Sequence, residues 1–290
     1  MNNYLLIVAA LLPAIMLCIY VYKKDRREKE PLHLLLFLFL AGVACCYPAS
    51  LIESVLIDII ESFFTIHKAD DGTLYMAKQA FYIYNFLKYF IGVALVEEFL
   101  KWIALVKISK NDKNYNSFFD GMIYAIFVSL GFAALENVMY VIENGWYVAV
   151  LRAFLSVPGH MFFAVMMGYH YSLWNIYDKA AQIETELVSQ GVISHVIAPF
   201  SSKTSKRNSL IIPVMVHGFY DFCCTINSIL AIVVFYSFII FLYVHCFKKI
   251  KQMSSMDTDD ITYAKRLVVK KYQNVFVNES NNVCVKTIMT

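Results

Sequence analysis

The sequence predicts an all-α fold: a polytopic membrane protein of about seven transmembrane helices, with its N-terminus outside and its C-terminus in the cytoplasm. Three observations predict it. The 290 residues are 59% hydrophobic and only 16% charged, against roughly 45–50% and about 25% in soluble domains. The mean hydropathy is +0.57. The apolar residues also fall into charge-poor runs of the length, about 18 residues or more, that marks a membrane helix.

Those runs lie at about 4–22, 33–57, 82–106, 118–142, 147–177, 209–226 and 228–247. The first could be taken for a signal peptide. It lacks a basic n-region, its apolar stretch is too long, and its positive charges, KKDRREKE, come after it, so it is read as a retained first span. The second span runs into a polar loop at 58–80 with a turn at Asp70-Asp71-Gly72. The loop after the third carries Lys107, Lys110 and Lys113. The fifth is followed by a possible interfacial helix, DKAAQIETELVSQ, and a Ser/Lys-rich linker ending in KTSKR. The seventh is followed by Lys248, Lys249 and Lys251. Positive charge thus collects on alternate loops, which the positive-inside rule puts in the cytoplasm. Residues 1–250 read as one integral membrane domain of a multi-pass cell-membrane protein, and residues 251–290 as a polar cytoplasmic tail.

Composition excludes several classes. The net charge of +3 reflects the cytoplasmic loops and implies no nucleic-acid partner. Six of the seven cysteines lie in or beside spans, Cys284 lies in the tail, and no CxxC pair exists, so neither a disulfide framework nor a cysteine zinc site is expected. The Asn278 sequon falls on the predicted cytoplasmic side.

Polar residues inside the apolar runs carry the functional signal, because a carboxylate at mid-bilayer costs about 2.5–3.5 kcal/mol on the insertion scale. The third run contains Glu97 and Glu98, followed by Lys101 at the i+4 and i+3 positions where an intrahelical ion pair forms. A solvated helix end is the competing reading, and the apolar residues from Trp102 onward disfavour it. The fourth run carries Glu136-Asn137. In the fifth, Arg152, Ser156, His160, Ala164 and Gly168 recur every fourth residue on one helical face, with Pro158 able to kink the helix. In the sixth, His217 and Asp221 form an i, i+4 pair in which the carboxylate can orient the imidazole or the two can share a metal. Straight helices would put Glu98 and His217 at one depth and Glu136 about 10 Å further out, in a supporting role.

The ordered set Glu-Glu-x-x-Lys, Phe-x-x-x-Glu-Asn, Arg-x7-His-x7-Gly and His-x-x-x-Asp, spread over residues 80–225, resembles the PrsW family of intramembrane proteases, distant cousins of the CAAX prenyl endopeptidases. Lys101, where those cousins carry Arg one residue further on, favours PrsW. The resemblance implies hydrolysis of membrane-anchored protein substrates within the lipid bilayer, such as an anti-sigma factor. It implies Glu97 and Glu98 as catalytic acids with His160 and His217 as partners, and Lys101, Glu136, Asn137, Arg152 and Asp221 in support.

No serine or cysteine centre is evident, so water is the expected nucleophile. Two routes stay open: activation by a buried glutamate, with a histidine serving the oxyanion or the leaving amine, or a divalent metal such as zinc held by Glu98, His160 and His217. The absence of a compact metal-ligand motif favours the first. The rival function is a proton- or cation-coupled transporter or channel built on the same acids and histidines. The lack of detectable repeats and the order of the motifs argue against it.

Overall fold

The computed structural model describes residues 3–68 and 74–273. The Asp70-Asp71-Gly72 turn, the Asn278 sequon and Cys284 lie outside the described residues. In chain order the helices are α1 (Asn3–Lys24), α2 (Leu32–Ser62), α3 (Lys78–Leu87), a π-helical segment (Lys88–Ala94), α4 (Leu95–Ser109), α5 (Asp120–Asn144), α6 (Trp146–Phe154), α7 (Ser156–Ser189), α8 (Ser202–Thr225), α9 (Ile229–Ser255) and α10 (Asp260–Lys271). The only sheet among the described residues is a two-residue hairpin, β1 (His67–Lys68) with β2 (Leu74–Tyr75), in the loop after α2. Five helical stretches are long and apolar enough to cross a membrane: Tyr4–Lys24, Leu32–Ser62, Asp120–Asn144, Trp146–Ser189 and Ile229–Ser255. The third and sixth predicted runs are helical too, but their charged residues keep them from standing out by composition.

A helix apolar on every side must be covered on every side, and α5 is. Residues 120–134 are all buried, and the helix packs against α1, α2, α4 and α7. Its approach to α2 is close enough to require glycine. A Cβ on Gly42 would fall 1.8 Å from the Val128 carbonyl oxygen, and one on Gly131 would fall 1.9 Å from that of Phe39. Small residues let helices without a hydrophobic driving force between them pack backbone to backbone. The peripheral helices instead show two faces. On α2, Leu35, Leu38, Gly42, Cys46 and Ala49 are buried, while Leu36, Leu40, Tyr47, Leu51 and Val55 are exposed, as a lipid-facing stripe should be.

Two departures from the predicted elements have plain causes. The fifth run divides at Leu155, three residues before Pro158. Proline's ring clashes with the carbonyl four residues earlier, here that of Phe154, and ends the α-helical pattern at that point. Beyond that break α7 continues for 34 residues, about 51 Å. The segment read as a separate interfacial helix is therefore the straight extension of α7. Nothing in KAAQIETELVS breaks a helix, and Ala180, Glu184 and Leu187 are buried. The covering is supplied by α10, in the region read as tail. Asp260 accepts from Asn175 at 3.0 Å and pairs with Lys179, while Lys271 pairs with Glu184.

The Lys/Arg-rich connections gather at one end of the bundle. Arg27 lies 3.6 Å from Asp259, Lys110 lies 3.0 Å from Asp178, and the hydroxyl of Ser254 donates to the carbonyl of Lys24. Burial, reinforced by the charge of Asp120, pushes the Glu30 carboxyl up to about 8. A protonated Glu30 removes the repulsion that two adjacent carboxylates would otherwise suffer.

Candidate active site

Toward the opposite end, α2, the π segment, α4, α5, α6, α7 and α8 enclose a cavity of about 500 Å³. The π turn ends three residues before Glu97. Such segments add a residue to a turn, shift the helix face that follows, and recur at functional sites. Here the shift leaves Glu97 lining the cavity and Glu98 fully buried beside it.

Lys101 is the hub. Its ammonium donates to Glu97 Oε2 at 2.8 Å and Glu98 Oε1 at 2.9 Å, and lies 3.3 Å from His160 Nδ1. It also stands 4.1 Å over the Phe132 ring. Because Nδ1 of His160 faces an ammonium, it accepts, and the ring proton sits on Nε2, which points at Glu136 Oε2 at 2.9 Å. Glu136 also accepts from Arg152 Nη2 at 2.8 Å, and Arg152 Nε donates to Asn137 Oδ1 at 2.9 Å. Asn137 is anchored in turn, donating from Nδ2 to the carbonyl of Ala10 at 2.7 Å. His217 lies between Glu98 Oε1, 3.0 Å from its Nδ1, and Asp221 Oδ2, 3.2 Å from its Nε2. The Phe163 ring stacks on it with centroids 4.5 Å apart.

The structure thus brings all nine sequence-derived residues into one connected network. It corrects the expected depth of Glu136, which lies in hydrogen-bond contact with His160 and not about 10 Å outside it. The helices run past the apolar stretches that mark them in the sequence. α4 runs to Ser109 and α8 begins at Ser202, so Glu98 and His217 lie about 5 and 10 Å deeper than assumed. The imidazole of His160 then bridges what remains. The stripe on the fifth run is also interrupted, since Arg152 sits on α6 and reaches the cluster across the break at Leu155.

Three contributors were missed. Glu53 of α2 lines the cavity, and its Oε1 is buried without a hydrogen-bond partner. Its signal was present, because it continues the buried Leu38, Gly42, Cys46, Ala49 stripe at the same spacing. Ser129 of α5 donates to the His160 carbonyl at 2.9 Å, bracing the start of α7. The π segment itself has no sequence signature.

For a metal, the donor set is Glu97, Glu98 and His160, whose ligand atoms lie within 4.8 Å of one another. His217 is not part of that group, although its ring lies 5.5 Å from that of His160 and its Nδ1 lies 3.0 Å from Glu98. Two carboxylates and an imidazole suit zinc, and Glu98 Oε2, buried and unpartnered, is a spare donor. The donor types fit a divalent ion, but the Lys101 ammonium already contacts all three groups, so an ion held there would need it to move aside.

Comparison with known proteins gives the family. The sequence profile of the PrsW family intramembrane metalloprotease matches residues 30–246. Protease PrsW of Geobacillus kaustophilus (strain HTA426) is 35% identical over 166 residues, covering 57% of this chain and 65% of the relative. Protease PrsW of Oceanobacillus iheyensis is 29% identical over 74% of this chain and 80% of the relative. The Bacillus subtilis (strain 168) protein of the same name is 28% identical over 78% and 85%. No solved structure matches the chain. With the family's profile spanning most of its length, the chain is a membrane protease of the PrsW family.

Proposed function

We propose that this chain is an intramembrane endopeptidase that hydrolyses peptide bonds of membrane-anchored protein substrates, regulatory proteins of the anti-sigma type among them. It would cross the cell membrane seven times, N-terminus outside, with the cavity in the outer half. The observation that carries the reading is Glu97 facing a roomy cavity beside His160 and His217, among helices otherwise dressed for lipid.

Glu97 is the general base. It takes a proton from a water held against the substrate carbonyl, and the oxygen bonds to the carbonyl carbon to form a tetrahedral intermediate. For a histidine N–H to steady the oxyanion, His160 or His217 would turn it away from the carboxylate it faces here. The proton then passes to the leaving amine as the C–N bond breaks. Glu98 works through others: it fixes Lys101 and the Nδ1 side of His217, while Asp221 holds Nε2. Glu136 orients His160 and is itself held by Arg152. A divalent ion such as zinc, if held by Glu97, Glu98 and His160 when bound, would supply Lewis-acid activation of water.

The test uses purified protein and a single-span reporter library. Glu98→Gln and His217→Ala are each expected to abolish cleavage while the protein inserts and accumulates normally. Full activity in both variants would overturn the assignment. A chelator arm separates the two routes: loss restored by zinc marks the metal, and indifference marks glutamate chemistry alone.

A further inference from the structure

Every carboxylate of the cavity has a named partner except one. Glu97 and Glu98 share Lys101, Glu136 has Arg152 and His160, and Asp221 has His217. Glu53 makes no hydrogen bond or ion pair with the described residues, although its Oε1 is fully shielded by protein. A carboxylate left alone in such surroundings loses its hydration without compensation. Nor does it serve the fold, since it ties α2 to no other helix.

The nearby cation Lys101 is already engaged by Glu97 and Glu98. Glu53, Glu97, Glu136 and Asp221 line the main cavity, against two cations, Lys88 and Arg152. Arg152 is spent on Glu136 and Asn137, and Lys88 lies over the rings of Tyr84 and Tyr89. Behind Glu53 a second pocket of about 150 Å³ opens between α2 and α5. Glu53, Glu97 and Glu136 border both spaces. Besides the three glutamates the small pocket is lined by apolar Cys46, Ala49, Phe132 and Met139 and by Ser50 and Tyr140, so its walls are part apolar and part polar. A pocket with both apolar walls and carboxylates suits a side chain that has a hydrocarbon stem and a cationic head, the character of lysine and arginine. A metal ion suits it less. Among the described residues the one group with ligand atoms close enough for an ion is Glu97, Glu98 and His160, which leaves Glu53 out.

We propose that Glu53 and the pocket behind it form a specificity subsite for a lysine or arginine side chain flanking the scissile bond of the substrate. The inference rests on the protease reading above, and its test separates the two. Reporters carrying Lys, Gln or Glu at each position around the cleavage site are compared on the wild type, Glu53→Gln, Glu53→Asp and Glu53→Lys. The wild type should favour the best-placed Lys over Gln by roughly tenfold or more, mainly through KM, as expected for a buried charge pair. Glu53→Gln should collapse that ratio, Glu53→Asp should restore part of it, and Glu53→Lys should turn the preference toward Glu. A ratio unchanged in Glu53→Gln, or an equal fall on every reporter, overturns the subsite. A second arm needs no cleavage: the same peptides, fluorescently labelled, are titrated onto Glu98→Gln protein with and without Glu53→Gln. Lys-selective binding that disappears with Glu53 supports the subsite even if no reporter is cut. Equal binding of Lys and Gln peptides overturns it, whatever becomes of the protease reading.

Discussion

At the scale of single residues, the site is a chain of hydrogen bonds whose members differ in their access to the cavity. Glu97 lines the open space; Glu98 and Lys101 sit behind it, wholly buried. In the proposed mechanism that ordering gives water chemistry to the first glutamate and positioning to the second, a distinction two adjacent letters cannot express. Glu136 belongs to the positioning group. Glu136→Gln keeps the shape but weakens the hold on the His160 ring and on Arg152. We expect it to lower kcat by roughly 10–100-fold with KM nearly unchanged, measured from initial rates on the best reporter. A fall in KM-controlled binding alone would place Glu136 at the substrate instead. The identity of every motif residue was legible in the sequence because charge in an apolar run is anomalous. Glu53 was equally anomalous, yet it belongs to no ordered motif, and only its place on a buried stripe gives it meaning.

At the scale of elements, the feature that aims the chemistry is the π segment at Lys88–Ala94. Its extra residue rotates everything downstream by about 100° relative to an uninterrupted α-helix. Deleting Ile91, a half-exposed residue of that segment, should let the helix close into regular α geometry. The expected outcome is a folded, membrane-inserted protein without proteolytic activity, checked by comparing its thermal unfolding with its reporter cleavage. Retained activity would mean the α4 face is set by its contacts with α5 and α8 rather than by the bulge. The sequence supplied the helices because hydropathy and helical period are additive over a run. It concealed the π turn, which depends on a single inserted residue, and it blurred the start of α8, whose first turns are polar: SKTSKRNS precedes the apolar stretch. The second of those errors produced the false depth for Glu136.

At the scale of the whole molecule, the alternate connections meet at one end and the catalytic cavity opens toward the other. In the orientation proposed, Lys249→Cys reacts with an impermeant thiol reagent only after the cells are opened; reaction from outside intact cells would invert the topology. The docking of α10 on the long C-terminal reach of α7 was not legible, because polar amphipathic helices look like tail until their partner is known. The centre of the bundle is α5, wrapped by α1, α2, α4 and α7 with no side left for lipid along its first fifteen residues. That wrapping has a bearing on biogenesis. During synthesis α5 leaves the ribosome before α7 exists, so its deepest surface must wait, lodged in lipid or in the insertion machinery, for a partner encoded further downstream. The candidate site, whose halves sit on either side of the Gly145 turn, is therefore assembled late: Glu97, Glu98 and Glu136 are made before the histidines they face.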